Sequence, residues 1–371
     1  MDLKPYLKLM MEKNASDLFF SAGSTVNIKI EGVTMPINQR KLESGHVRQI
    51  AYGIMNDDQK KTFEAEMEMN LALAVDDIGR FRINVYRQRG EIAMVVRYIK
   101  SVIPSIKELQ LPDILRELII APRGLVLLVG STGSGKSTTL ASMIDYRNTH
   151  STGHILSIED PIEYIHSHKK SVVDQREVGL DTLSYSNALK NAMREAPDVI
   201  FIGEIRDRET MQQVIAYAET GHLCLSTLHA NNAYQTLERI VNFFPESSHE
   251  QLFKDLALVL RGVIAQRLLI GNDGKRIPAC EILLNTPYIS DLIDKGEIEK
   301  IHDVMEKSSD RGMQSFDQAI YTLYKNQQVG LQEALNNAES RNNLQIMVRR
   351  ATGLSEEDIS SDLSIDDLKP D

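Results

Sequence analysis

Glycines, a lysine and hydroxyl residues are packed most densely in GLVLLVGSTGSGKSTTLASM, residues 124–143, where an apolar run enters a glycine-rich turn and leaves into a helix-forming stretch. Within it GSTGSGKS, residues 130–137, fits G-x-x-x-x-G-K-[ST], the spacing of a phosphate-binding loop. Gly130, Gly133 and Gly135 let the backbone curl so that its N–H groups turn inward on phosphate oxygens, and the dipole of the following helix adds positive potential. Lys136 is spaced to reach β- and γ-phosphates, and the Ser137 hydroxyl to ligate Mg²⁺. The candidate nucleotide-binding set is therefore Gly130, Ser131, Thr132, Gly133, Ser134, Gly135, Lys136, Ser137 and Thr138. Such a match arises by chance in a chain of this length on the order of 1% of the time, so a mere surface turn is a poor explanation.

Hydrolysis needs further groups. In HILSIEDPIEY the carboxylates Glu159, Asp160 and Glu163 cluster where an apolar strand ends; beside Mg²⁺, or within reach of a water facing the γ-phosphate, one of them could orient that water. A solvated acidic loop has the same composition. In DVIFIGEIRD an apolar strand ends at Gly203-Glu204, the layout of a Walker B acid acting through the metal. His222 and His229 flank LCLSTL and read as metal ligands without cysteine partners, as sensors of the γ-phosphate, or as structural histidines. Arg80 and Arg82, two apart on a predicted strand, face the same way. Arg194 and Arg206 bracket the Glu204 strand. Guanidinium groups suit the charge that develops on a transferred phosphoryl group, and each also serves as an ordinary ion-pair partner.

These residues need rigid elements to hold them. From Gly124 onward the short apolar runs LVLLV, HILSIE, DVIFIGE and HLCLSTL alternate with helical segments, the pattern of a buried parallel sheet with crossover helices, and after about Leu252 the chain reads as mostly helical. The first hundred residues read as a small α+β unit. It comprises an amphipathic helix with Leu3, Leu7 and Met10 on one face, a hairpin turning at Glu31-Gly32, a helix from about Gly45 to Glu68, and a hairpin around Arg89-Gly90. Pro104 and Pro112 bracket a connector.

With 371 residues and 42% hydrophobic content, the chain has material for more than one packed core. Its apolar runs are interrupted by arginine and glycine, so no membrane span is expected, and the N-terminus lacks the pattern of a secretory signal, which implies a cytoplasmic protein. Cys224 and Cys280 are far apart and suggest buried hydrophobes rather than a disulfide or zinc site. A net charge of −10 argues against sequence-independent nucleic-acid binding. Residues 354–371 hold seven of the acids against Lys369 and read as a disordered tail.

Taken together, NASDLFFSAG, GRFRIN, the phosphate loop, SIEDPIEY, QREVG, APDVIFIGEIRD and AETGHLCLSTLHANNA resemble the type IV pilus retraction ATPases of the PilT/PilU family, in the secretion-ATPase superfamily, over roughly residues 1 to 350. The resemblance implies an α/β chain: a PAS-like α+β N-terminal domain (1–99), a linker (100–112), a RecA-like P-loop ATPase domain with a helical C-terminal region (113–353) and the acidic tail (354–371). It implies ATP and Mg²⁺ as cofactors, with Ser137 and Glu204 toward the metal. Glu159, Asp160 and Glu163 would form an aspartate box with Glu163 as general base, and His222 and His229 a histidine box. Arg80 and Arg82 would approach the nucleotide, and Arg194 or Arg206 would act on a neighbouring subunit's site. Implied partners are five further copies in a homohexamer, a PilT-type retraction ATPase and an inner-membrane platform protein, giving a peripheral membrane location. The tetracysteine zinc motif of extension and type II secretion relatives is missing. The C-terminal signature A-I-R-N-L-I-R-E of the PilT type stands here as YISDLIDKG, residues 288–296, with its apolar positions kept and its basic character lost. That change, with NFFPE, LLNTP and the acidic tail, points to the PilU subgroup and an accessory role in retraction.

Overall fold

In a computed structural model, described over residues 2–30, 32–307 and 312–352, the chain forms two compact units. Glu31 and the acidic tail lie outside the described residues. The first unit comprises residues 1–103 with two later returns, Asp160–His166 and Arg176–Ser184. It opens with α1 (Lys4–Glu12), whose Leu7 and Met10 are buried as the periodicity requires. The strands are β1 (Asp17–Ser21), β2 (Thr25–Ile30), β3 (Val33–Lys41), β4 (Glu68–Val75), β5 (Gly79–Gln88) and β6 (Glu91–Ile99). They form a six-stranded sheet in the order β3-β2-β1-β6-β5-β4. Both expected hairpins are present, β2–β3 and β5–β6. On β5, Phe81, Ile83 and Val85 point into the core while Arg80, Arg82 and Asn84 point outward, so the two arginines do share a face.

The helical stretch expected from about Gly45 to Glu68 is helical and consists of two helices, α2 (His46–Ile54) and α3 (Asp57–Glu66). Asn56 makes the break. Its side chain accepts the Gln59 N–H while the Gln59 side chain accepts the Asn56 N–H, a reciprocal capping box that starts a new helix. The residues after α3 turn into β4, a strand that begins where the expected helical stretch ends and that the sequence reading did not assign.

The second unit holds residues 104–159, 167–175 and 185 onward. Ile106 and Leu111 of the connector are buried in its core. After α4 (Ile114–Ile120) come β7 (Gly124–Val129), α5 (Lys136–His150), β8 (Gly153–Glu159), β9 (Ser171–Glu177), α6 (Tyr185–Ala192), β10 (Val199–Ile202), α7 (Arg208–Glu219) and β11 (Leu223–Leu228). The helices α8 (Ala233–Val241) and α9 (His249–Val259), the strands β12 (Leu260–Ile270) and β13 (Arg276–Leu284), and the helices α10 (Pro287–Asp294), α11 (Lys300–Lys307), α12 (Phe316–Lys325), α13 (Leu331–Asn337) and α14 (Arg341–Thr352) follow. The seven-stranded sheet runs β13-β12-β7-β11-β10-β8-β9. Its inner strands β12, β7, β11, β10 and β8 are parallel neighbours. Every residue of β7, β10 and β11 is buried, which explains their unbroken apolar sequences.

Beyond Leu252 the described chain is mostly helical, as expected, but the reading passed over β12 and β13, which form a long antiparallel hairpin on the edge of this sheet. Cys224 and Cys280 are free and buried, and burial pushes both thiols up. Among the described residues no helix is long and apolar enough to cross a membrane.

Candidate nucleotide-binding and hydrolysis site

The register of the second unit brings the ends of its central strands to one edge. Val129 of β7 pairs with Leu228 of β11, Ile202 of β10 with Ser226, and Ile158 of β8 with Ile202. The segments that follow these strands therefore emerge together: the loop from Gly130, His229, Gly203-Glu204 and Glu159. In an open parallel sheet this carboxyl edge is where ligands bind.

The loop has the backbone expected of an anion cradle. Gly130, Gly133 and Gly135 have φ of 147°, 81° and 89°, values an L side chain rarely takes. A Cβ at Gly130 would lie 2.5 Å from the Gln266 carbonyl oxygen, while one at Gly133 would meet only open space. Gly135 caps α5, and Lys136 is the helix's first residue. The Lys136 ammonium donates to the carbonyls of Gly130 (2.8 Å) and Ser131 (2.9 Å), so the cation is held inside its own loop. The Ser134 hydroxyl is buried with no hydrogen-bond partner among the described residues. An open concavity with a helix N-terminus, a retained cation and an orphan hydroxyl fits a polyphosphate.

Glu204 has a nitrogen on each oxygen: Arg206 Nε donates to Oε2 at 2.8 Å, and His229 Nε2 lies 3.1 Å from Oε1. Backbone bonds fix its position, from Gly203 N to Ile158 O and from Ile205 N to Thr227 O, and the Thr227 hydroxyl donates to Gly203 O at 2.6 Å. Gly203 is closely packed, since a Cβ there would meet the Tyr185 hydroxyl at 2.8 Å. Glu159 is buried at the end of β8, where it accepts from Ser157 (2.7 Å) and Gln175 (3.3 Å). Cavities of about 350 and 250 Å³ flank the loop; the first is lined by Ser131, His229, Asn231 and Arg239, the second by Ser131, Asn231, Gln266 and Asn337.

The two histidines are not a pair. His222 precedes β11, at the end where Leu223 pairs with Gly124, and His229 follows it, at the phosphate-loop end. The intervening strand separates them by roughly 20 Å. His222 Nδ1 lies 3.1 Å from the carbonyl of Tyr217 on α7. Arg206, considered as a residue acting on a neighbour, is held by Glu204 of its own chain. Arg194 is exposed and donates to Asn191.

Asp160 and Glu163 are exposed and belong with the first unit, as do Arg80 and Arg82. Within that unit the buried Glu177 joins the segment that carries Asp160 and Glu163 to Arg82. Its Oε2 accepts the Ile162 N–H at 3.2 Å, and Arg82 Nη1 lies 3.7 Å from its Oε1. Burial pushes the Glu177 carboxyl up, against the pull of the Ile162 N–H and Arg82. Sequence reading passed over Glu177 except as part of QREVG. It also passed over Gln266 and Glu281. Glu281 on β13 accepts the N–H of Ala233, the first residue of α8, at 2.6 Å. Burial pushes its carboxyl up to about 7, partly offset by that bond.

A phosphate loop leaving an inner strand of the parallel part of the sheet, with an acid at the end of a strand two places away, defines a P-loop nucleotide-binding protein of RecA-like architecture. Within that class the chain belongs to the type II/IV secretion system protein family, whose model matches residues 1–351. It is 49% identical over 362 residues to the type IV pilus ATPase PilU of Pseudomonas aeruginosa, covering 97% of this chain and 95% of the relative. To the type IV pilus retraction ATPase PilT of the same organism it is 41% identical, covering 87% and 94%. A crystal structure of the pilus retraction motor PilT with bound ADP matches with a TM-score of 0.87 at 40% identity, over 93% of this chain and 99% of that one.

Proposed function

We propose that this chain is an ATP-hydrolysing motor subunit that powers or assists type IV pilus retraction and hence twitching motility, in the accessory manner of PilU. The observation that carries the reading is the intact constellation of loop, Lys136, Glu204 and His229 on one sheet edge, in a chain nearly half identical to a pilus ATPase along its whole length. The loop N–H groups from Gly130 to Thr138 bind the phosphates, and Lys136 exchanges its two carbonyl contacts for phosphate oxygens. Ser137 and Glu204 would hold Mg²⁺, which would supply charge neutralisation on the transferred phosphoryl group. Glu204 is steadied by His229 and Arg206, and Glu163 is the base that orients the water. Arg80 and Arg82 supply positive charge toward the nucleotide.

The working assembly is a homohexamer, acting with a PilT-type ATPase on an inner-membrane platform protein from the cytoplasmic side. Steady-state ATP hydrolysis across a protein concentration series tests the reading. Turnover should rise as rings assemble and vanish with Glu163→Gln. A folded, nucleotide-binding protein with no turnover at any concentration would instead be a regulatory subunit docking on a partner ATPase.

A further inference from the structure

Gln266 stands on β12, directly after the pairing of Ala265 with Val129, and so beside the point where β7 ends and the phosphate loop begins. It is 2% exposed. Its Nε2 donates to the carbonyl of Ser134 inside the loop at 2.8 Å, and its Oε1 accepts the hydroxyl of Thr139, in the first turn of α5, at 2.8 Å. The amide cannot be turned over. Reversal would set its oxygen against the Ser134 carbonyl, two acceptors facing each other. One side chain therefore fastens both the loop and the helix that leaves it.

The loop needs such a fastening. Its three left-handed glycines make it easy to deform, and its internal bonds include those of Lys136 and a long Ser134 N to Ser131 O bond of 3.2 Å. Two of those glycines also lie close against Gln266. A Cβ at Gly130 would meet its main-chain carbonyl oxygen at 2.5 Å, and a Cβ at Gly135 would meet its Nε2 at 2.8 Å. The next residue, Arg267, stacks its guanidinium over the Phe316 ring at 4.0 Å and donates to the Asn337 carbonyl at 2.8 Å. Successive residues of one strand thus hold the phosphate loop and the C-terminal helices α12 and α13.

We propose that Gln266 is a positioning residue that keeps the phosphate loop in its nucleotide-binding conformation, anchored through Arg267 to the C-terminal helices. The inference rests on the loop being a nucleotide site, as proposed above. A pre-set loop lowers the cost of binding without entering the chemical step, so its loss should raise KM and leave kcat.

The full-length protein and its Gln266→Leu, Thr139→Val and double variants would be titrated with a fluorescent ADP and assayed for ATP hydrolysis, with Lys136→Ala as control. Gln266→Leu is expected to raise both the ADP Kd and the KM for ATP by about 10-fold, with kcat at saturation within about 2-fold. Thr139→Val should move both in the same direction by a smaller factor. The double variant should be no weaker than Gln266→Leu alone, because both changes break one fastening. An unchanged Kd in folded Gln266→Leu, a lowered melting temperature with Kd unmoved, a fall in kcat alone or fully additive effects would each overturn the proposal. Should Gln266→Leu not fold, Thr139→Val decides by the same criterion. Wild-type protein that binds no ADP would overturn the nucleotide-site reading itself, a result distinct from wild-type and variants binding equally.

Discussion

Glu204 meets a nitrogen on each of its oxygens, and Lys136, at the same sheet edge, donates to two loop carbonyls. Both residues hold arrangements that a nucleotide would redistribute, and they do so with opposite expected consequences. Lys136→Ala removes the loop's own cation and should weaken nucleotide binding on the order of 100-fold, as read in a titration. Glu204→Gln keeps the shape but not the charge; binding should stay within about 3-fold while phosphate release falls at least about 100-fold. Unchanged phosphate release would remove Glu204 from the chemistry.

Glu281 makes a different kind of prediction. Its carboxyl, pushed from 4.5 to about 7 by burial and by Glu339, and pulled back by Arg267 and the Ala233 N–H, holds a proton in the folded chain that the unfolded chain releases sooner. Its contribution to stability is complete below about pH 4.5 and lost as pH rises through about 7. Glu281→Gln stays neutral throughout, so the wild-type melting temperature should fall relative to the variant between those limits, whatever constant offset separates them. Parallel profiles would show that Glu281 does not titrate in that window.

Among the elements, those that carry the phosphate loop were legible because each signal is local. GSTGSGKS has its own spacing, and the wholly buried β7, β10 and β11 leave uninterrupted apolar runs. The β12–β13 hairpin was not legible. The run from Leu256 to Ile270 contains the end of α9 and the whole of β12, and an apolar run without periodicity suits a buried strand as well as a buried helix. Gln266 and Glu281 were lost with that hairpin, since a buried polar group takes its meaning from neighbours far along the chain. His222 and His229 were readable as flanks of one strand, but only the pairing of β11 with β7 tells which end meets the loop.

The break between α2 and α3 was readable in principle, from Asn56 and Gln59 at capping-box spacing. Removing that box with Asn56→Ala should destabilise α3 by about 1 kcal/mol. Hydrogen exchange at the α3 amides should quicken while nucleotide affinity at the loop stays unchanged; unaltered exchange would mean that packing of Phe63, not the cap, holds the helix.

At the scale of the whole molecule, the charge of −10 sets an expectation for a shared ATPase core: binding to duplex DNA should be negligible at any moderate salt concentration, as filter retention would report. The path of the backbone sets another. The chain leaves the first unit at Ile103, returns to it for Asp160–His166, and returns again for Arg176–Ser184 before leaving for good. Arg82 comes from the early part of that unit, and the Glu177 that faces it comes from the last return. The units are consequently not interchangeable cassettes. A chimera joined once near residue 103 would combine one parent's Arg82 with the other parent's counterpart of Glu177, and a protease nick in the connector would leave the first unit still stitched to the second. Recombination between relatives of this chain should therefore be tolerated only when the exchanged pieces include all three stretches.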